Sequence, residues 1–133
     1  MCDGELIALG NLDHKVLEEN LIRILALKDP PSAIFAWSDF MAMNILEKLR
    51  EREIGVPEDI SLVGYDNVGF LSLFHMPLTT ISQPNYQIGS TAANLLMERI
   101  EKGDQLPPRK VIFKPELVVR QSTSKVGICT RKE

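Results

Sequence analysis

Cysteine is nearly absent, and its placement leaves it little to do. Cys2 and Cys129 lie near opposite ends of the 133 residues, with no second cysteine close to either, so both read as free thiols and neither starts a metal or redox motif. The two histidines, His14 and His75, fall in unrelated segments without ligand spacing. No metal and no cofactor is expected. Excess positive charge is missing too: 15 Lys and Arg stand against 18 Asp and Glu, a net charge of -3. No basic field therefore draws the chain to phosphate backbones or anionic membranes. Long apolar runs are lacking, since stretches such as Ala33-Ile34-Phe35-Ala36-Trp37 fall far short of the roughly 20 residues that a membrane-spanning helix needs. The start, Met1-Cys2-Asp3-Gly4-Glu5, has neither the basic residues nor the apolar stretch of a signal peptide, so a cytoplasmic protein without a membrane partner is expected.

Catalytic signatures are equally scarce. No G-x-G-x-x-G and no G-x-x-x-x-G-K-[ST] occurs, which removes the visible anchors of nucleotide-dependent chemistry. Ser38 lies in Ala36-Trp37-Ser38-Asp39-Phe40, without the flanking glycines of a nucleophile elbow. The sequence favours binding over catalysis, and no enzyme is expected.

What the sequence does contain is an alternation of short apolar runs and helical stripes. With 44% hydrophobic and 25% charged residues, the length suits one folded domain. Strands are predicted at Glu5–Leu9, Ala33–Trp37, Ile60–Gly64 and Leu78–Ser82, with two further pieces at Val111–Lys114 and Leu117–Arg120. Helices are predicted from Asp13 to Asp29-Pro30-Pro31, from Ser38 to Gly55-Val56-Pro57, and from Pro84 at a first helical position to Gly103. The last carries the cleanest stripe: Ile88, Ala92, Leu95, Leu96 and Ile100. This order implies an α/β fold of βαβ units around a mainly parallel sheet with right-handed crossovers. The predicted domain is 1–123 and the predicted loose tail 124–133, the loosening setting in at Ser122.

In an open α/β sheet, ligands bind outside the carboxyl ends of the strands. The polar residues directly after the predicted strands are Asn11, Ser38 with Asp39, Asp66 with Asn67, and Gln83, and Trp37 and Tyr65 flank them. Neutral hydrogen-bonding groups, one carboxylate and adjacent aromatics suit a small polyhydroxy or heterocyclic ligand. Structural roles stand beside each candidate. Ser38 and Asp39 would cap the helix that follows them. Asp66-Asn67 would form a turn, Gln83 would be a loop residue, and Trp37 would belong to the core.

The ordered segments Pro31-Ser32-Ala33-Ile34-Phe35-Ala36 with Ser38-Asp39 and Met41-Ala42, Val56-Pro57-Glu58-Asp59-Ile60-Ser61-Leu62-Val63-Gly64-Tyr65-Asp66-Asn67, Pro77-Leu78-Thr79-Thr80-Ile81-Ser82-Gln83-Pro84 and Pro115-Glu116-Leu117-Val118-Val119-Arg120-Gln121-Ser122-Thr123 carry a resemblance. Over Pro31 to Thr123 the chain resembles the effector-binding part of the LacI/GalR family of bacterial transcription regulators. The resemblance implies a periplasmic-binding-protein-like sensor, in which two lobes of a three-layer parallel-sheet architecture clamp a sugar or nucleobase-like effector. By position it implies that Asp66 hydrogen-bonds the effector, that Ser38 stands where a ligand-contacting Asn is usual, and that Gln83 lies in a hinge segment within reach. Leu12 stands where some members carry a stacking aromatic.

The same resemblance places these residues mostly in the second lobe, without a DNA-binding headpiece and with almost none of the first lobe. DNA would then be contacted only through a headpiece absent from this chain. It also implies that the helix from Gln83 to Lys102 lacks its usual cover and exposes its apolar stripe. A homodimer is expected, with exchanged elements as one form of it, through Met43, Leu46, Leu71, Leu73 and Phe74, against the alternative that these residues are ordinary core. Two other functions stay open: a solute-binding protein of a sugar transporter, and an assembly module without a ligand.

Overall fold

The computed structural model describes residues 14–69, 76–103 and 107–125. Its elements are α1 (His14–Leu25), β1 (Ala33–Phe35), α2 (Asp39–Glu51), β2 (Ser61–Tyr65), β3 (Thr79–Ser82), α3 (Asn85–Lys102) and β4 (Glu116–Val118). The strands form one sheet in the order β1-β2-β3-β4. Parallel pairing joins β1 to β2 with Ile34 opposite Leu62, and β2 to β3 with Gly64 opposite Thr80. β4 runs antiparallel on the far edge, Leu117 facing Ile81. The predicted strand Glu5–Leu9, the cap Asp13 and the site candidate Asn11 lie outside the described residues, as does Leu12.

Helix α2 begins where Ser38, extended at φ -149° and ψ 159°, accepts a 3.1 Å hydrogen bond from the Met41 N–H. Its stripe of Met41, Ala42, Ile45 and Leu49 is buried against β2, while α1 packs on α2 and buries Leu21 and Ile24. Leu62 on β2, with Ala36, Val56, Ile60 and Leu78, completes one core on this face of the sheet. The helix ends earlier than Gly55. Ile54 donates to Leu49 O and Glu53 donates to Arg50 O, with Glu53 itself at φ 58°. This is a Schellman closure with glutamate in the left-handed position that glycine usually takes. Outside the core, Arg52 donates to Glu18 at 2.6 Å and ties α2 to α1.

The opposite face of the sheet is largely bare. Parity puts Phe35, Val63 and Val119 in one row and Tyr65, Ile81 and Leu117 in the next. Phe35, Leu117 and Val119 are exposed. A parallel sheet ordinarily has helices on both faces, so the described residues make two layers of an incomplete three-layer lobe. The exposed stripe foreseen on α3 is also present: Ile88, Leu96 and Ile100 face solvent, and the helix has no buried residue. Gly103, at φ 68°, ends it as predicted, whereas Pro84 takes the N-cap position and Asn85 begins the helix.

Two expectations are corrected. Val111–Lys114 joins no ladder: β3 is only four residues long, and Glu116–Val118 already occupies its free edge. Residues with high strand propensity still need a partner backbone. The tail does not loosen at Ser122. That residue is fully buried; its Oγ accepts from Thr79 N at 2.8 Å and donates to Leu62 O at 2.6 Å, while its own carbonyl accepts from Leu62 N. Ser122 thus fills the gap between β2 and β3 below the start of their ladder, and Thr123 continues the anchoring with a 3.0 Å hydroxyl contact to Thr79.

Candidate ligand site at the strand ends

Because β1, β2 and β3 run parallel, the residues after each of them share one edge of the sheet. Trp37 and Ser38 follow β1, Asp66 and Asn67 follow β2, and Gln83 follows β3. The structure brings two of the predicted site residues into direct contact: Gln83 Nε2 donates to Asp66 Oδ1 at 3.2 Å. Gln83 is the hydrogen-bond partner of the Asp66 side chain among the described residues. Both are half-buried, as a wall of an open crevice requires.

The loop that carries Asp66 is bent by two successive residues on the positive-φ side, Asp66 at 105° and Asn67 at 52°. Asn tolerates the left-handed region, but an Asp at 105° is uncommon, and such outliers persist where surroundings over-determine them. The surroundings are visible. Asp66 N–H donates to Ile81 O at 2.9 Å, Asn67 Nδ2 donates to Ser82 Oγ at 3.2 Å, and Asn67 Oδ1 accepts from Arg120 Nη2 at 2.7 Å. Val68 N–H then donates to Asp39 Oδ2 at 2.9 Å. The other Asp39 oxygen accepts from Thr80 Oγ1 at 2.5 Å.

Asp39 is therefore a buried brace between α2, β3 and the Asp66 loop, with both oxygens engaged by the protein. Ser38 is the helix cap and only 5% exposed. A hydroxyl has one proton and two lone pairs, so the cap bond leaves its donor capacity in place. Trp37 takes no part in the core of the described residues: it is 61% exposed just beyond β1, with Phe35 and Phe40 exposed beside it. Its placement suits a stacking surface. Asn67 belongs to the loop's framework, its amide engaged at both ends.

Arg120, Thr80 and Ser82 were not singled out from sequence. All lie inside the quoted segments, yet hydrogen bonds across 13 to 53 residues have no local signature. Among the described residues no group of three His, Cys, Asp or Glu side chains could hold a metal, and no helix is long and apolar enough to cross a membrane. The pairs Lys48–Glu51, Arg52–Glu18 and Glu98 with Lys102 and Arg109 involve none of these residues. Arg52, through its hydrogen bond, holds the Glu18 carboxyl below the usual value, and Arg109 and Lys102 do the same to Glu98 on α3.

Known proteins share this fold. A periplasmic binding protein-like domain matches residues 7–123. The HTH-type transcriptional repressor PurR of Photobacterium profundum is 40% identical over 114 residues, covering 85% of this chain and 34% of the repressor. The transcriptional regulator CelR in complex with cellobiose superposes with a TM-score of 0.79 at 30% identity, over 92% of this chain and 37% of CelR. A LacI family regulator from Enterococcus faecium with bound ribose gives 0.74 at 27% identity, over 88% and 42%. The chain spans about a third of the length of the curated relatives it matches. It belongs to the periplasmic binding protein-like domain family, and it is similar to the part of LacI-type transcription regulators that carries this domain.

Proposed function

We propose that this chain is the effector-sensing and dimerisation portion of a bacterial LacI-type transcription regulator, cytoplasmic and without catalytic activity. The observation that carries the reading is the Asp66–Gln83 pair, held at the carboxyl edge of the parallel strands on a loop bent against its backbone preference. A carboxylate with free acceptor capacity recognises sugar hydroxyls or a nucleobase N–H, and Gln83 adds both a donor and an acceptor. Trp37 supplies an exposed aromatic face on the same edge, and Ser38 a hydroxyl. The cellobiose and ribose bound to the two regulators above make sugars the first class to test.

The dimerisation part rests on α2. Met43 and Leu46 are half-buried and line an open apolar recess of about 590 Å³ with Ile54, Val56 and Met76, rimmed by Glu47, Arg50 and Glu58. Leu71, Leu73 and Phe74 lie outside the described residues. An apolar floor with a charged rim suits a C2 contact between copies. DNA contact belongs to a headpiece outside these residues.

The test is a thermal-shift panel of ribose, cellobiose and adenosine on the chain and on Asp66→Ala, with the mass measured by light scattering. At 100 times its dissociation constant, a ligand bound to the folded state alone adds about 2.7 kcal/mol. A response that Asp66→Ala abolishes while retaining stability supports the site. An unchanged response, or a loss of stability without loss of response, makes Asp66 structural. Monomer alone at high micromolar concentration defeats the dimer.

A further inference from the structure

Arg120 follows β4, and its side chain links the residue before β3 to the loop after β2. Nη2 donates to Asn67 Oδ1 at 2.7 Å and Nη1 donates to Leu78 O at 2.6 Å, while the backbone N–H donates to Thr79 Oγ1 at 2.9 Å. A guanidinium is most often placed by a carboxylate. Here, among the described residues, its side chain bonds one amide oxygen and one carbonyl, so ion pairing does not explain its position. Both bonds are charge-assisted, hence stronger than their neutral equivalents.

The residue it grips directly follows Asp66 in the loop of the candidate site. Asn67 has its oxygen on Arg120 and its Nδ2 on Ser82, the residue before Gln83. Asp66, at φ 105°, sits between this fixed amide and the end of β2. Asp and Asn tolerate positive φ, and Asn67 at 52° lies in the left-handed well, but Asp66 at 105° lies outside it, so its surroundings hold the bend. Asp39 fixes the loop on the α2 side through Val68, and Arg120 fixes it on the β4 side through Asn67.

We propose that Arg120 is the positioning residue of the site: by holding Asn67 from the segment after β4, it keeps the Asp66 carboxylate set beside Gln83 and turned for a ligand. The proposal rests on reading Asp66 as ligand-facing. Arg120 is not itself assigned a ligand contact. The forked guanidinium matters more than the charge, because one ammonium cannot reproduce two fixed donors aimed at Leu78 O and Asn67 Oδ1.

The experiment follows amide hydrogen exchange in the full chain and in Arg120→Ala and Arg120→Lys, together with the ribose, cellobiose and adenosine panel. Expected for Arg120→Ala is a rise of about tenfold in exchange at Asp66 and Asn67, the size of one lost charge-assisted hydrogen bond, with the amides of Ala42 and Ile45 in α2 unchanged. Arg120→Lys should fall between, and any probe that binds the parent chain should bind Arg120→Ala about tenfold more weakly. A rise spread evenly over α2 and the loop makes Arg120 a general stabiliser and overturns the proposal, as does unchanged exchange at Asn67. If Arg120→Ala does not fold, Asn67→Ala removes the same link from its other end and carries the test. A parent chain that binds none of the probes counts against the ligand reading of Asp66, while the exchange pattern still decides whether Arg120 sets the loop.

Discussion

Gly64→Ala is the smallest change that should break the coupling between core and site. Gly64 lies mid-strand in β2, where an added Cβ would collide with Asp39 Oδ1 and stand 2.9 Å from Leu78 Cδ2 and 3.3 Å from Asp39 Cα. Side-chain carbons do not approach other atoms so closely, so something has to move. The Asp39 carboxylate cannot swing away freely, because Thr80 Oγ1 holds Oδ1 and Val68 N–H holds Oδ2. Overpacking costs about 1–3 kcal/mol and each buried polar group left unsatisfied about 1–3 kcal/mol. Together they give a loss of about 2–6 kcal/mol, against a gain below about 1 kcal/mol from the stiffer unfolded chain. Urea unfolding measures the loss as a fall in midpoint at constant slope. The double variant Asp39→Ala/Gly64→Ala isolates the carboxylate's share: once it is gone, only the contacts with Leu78 Cδ2 and the residue-39 Cα remain, so adding the methyl at 64 should cost at least about 1 kcal/mol less than in the parent chain, a departure from additivity. A Gly64→Ala loss below about 1 kcal/mol, or additive losses in the double variant, would refute this account of the strand–helix contact.

Other expectations follow from single contacts. Ser122→Ala leaves Thr79 N–H and Leu62 C=O without their buried partner and should cost about 2–4 kcal/mol in the same unfolding assay; an unchanged midpoint would return Ser122 to a loose tail. Glu53→Gly places glycine at φ 58° in the closure of α2 and should raise stability by about 0.5–1 kcal/mol, whereas a loss would show that the glutamate side chain matters more than its backbone. Ser38→Ala removes the α2 cap and should cost about 1 kcal/mol; no loss would mean that the cap bond adds nothing. For the half-buried Glu18–Arg52 pair, Arg52 lowers the Glu18 pKa from 4.5, so its contribution exists above that value and fades as pH falls through the lowered one. Arg52→Ala should therefore lose a little stability at neutral pH, and the difference from the parent chain should vanish once acid has protonated the Glu18 carboxyl. A difference that persists in acid would assign the effect to packing.

The elements whose patterns are local were legible. The α2 stripe repeats at helical spacing, Ser38 caps it, and Gly103 ends α3 where the stripe stops. Apolar runs located β1, β2 and β3 to within two residues at either end. What failed depended on partners far along the chain. Val111–Lys114 has strand composition, but no free edge remains for it, and Ser122 looks like the start of a polar tail until β2 and β3 are seen to part beside it. The end of α2 falls short of Gly55, the nearest glycine stop signal, because Glu53 adopts the left-handed angle itself.

The site divides along the same line. Topology alone places Ser38, Asp66 and Gln83 on one edge, because parallel strands all end on the same side, and that much needs only the order of apolar runs. Which polar residues remain available to a ligand is a question about hydrogen bonds already made. Asp39 and Asp66 are both carboxylates just beyond a strand, indistinguishable by type. Asp39 is engaged through both oxygens by Thr80 and Val68 and is fully buried, whereas Asp66 meets Gln83 and stays half open. Asn67 is drawn into the framework by Arg120 and Ser82, and Trp37, a core residue by composition, stands in solvent because the face of the sheet beside it is bare. The proposed ligand contacts therefore centre on Asp66 with Gln83, and the residues that brace their loop, Asp39 and Arg120, bond it through Val68 and Asn67 from segments 81 residues apart in the sequence.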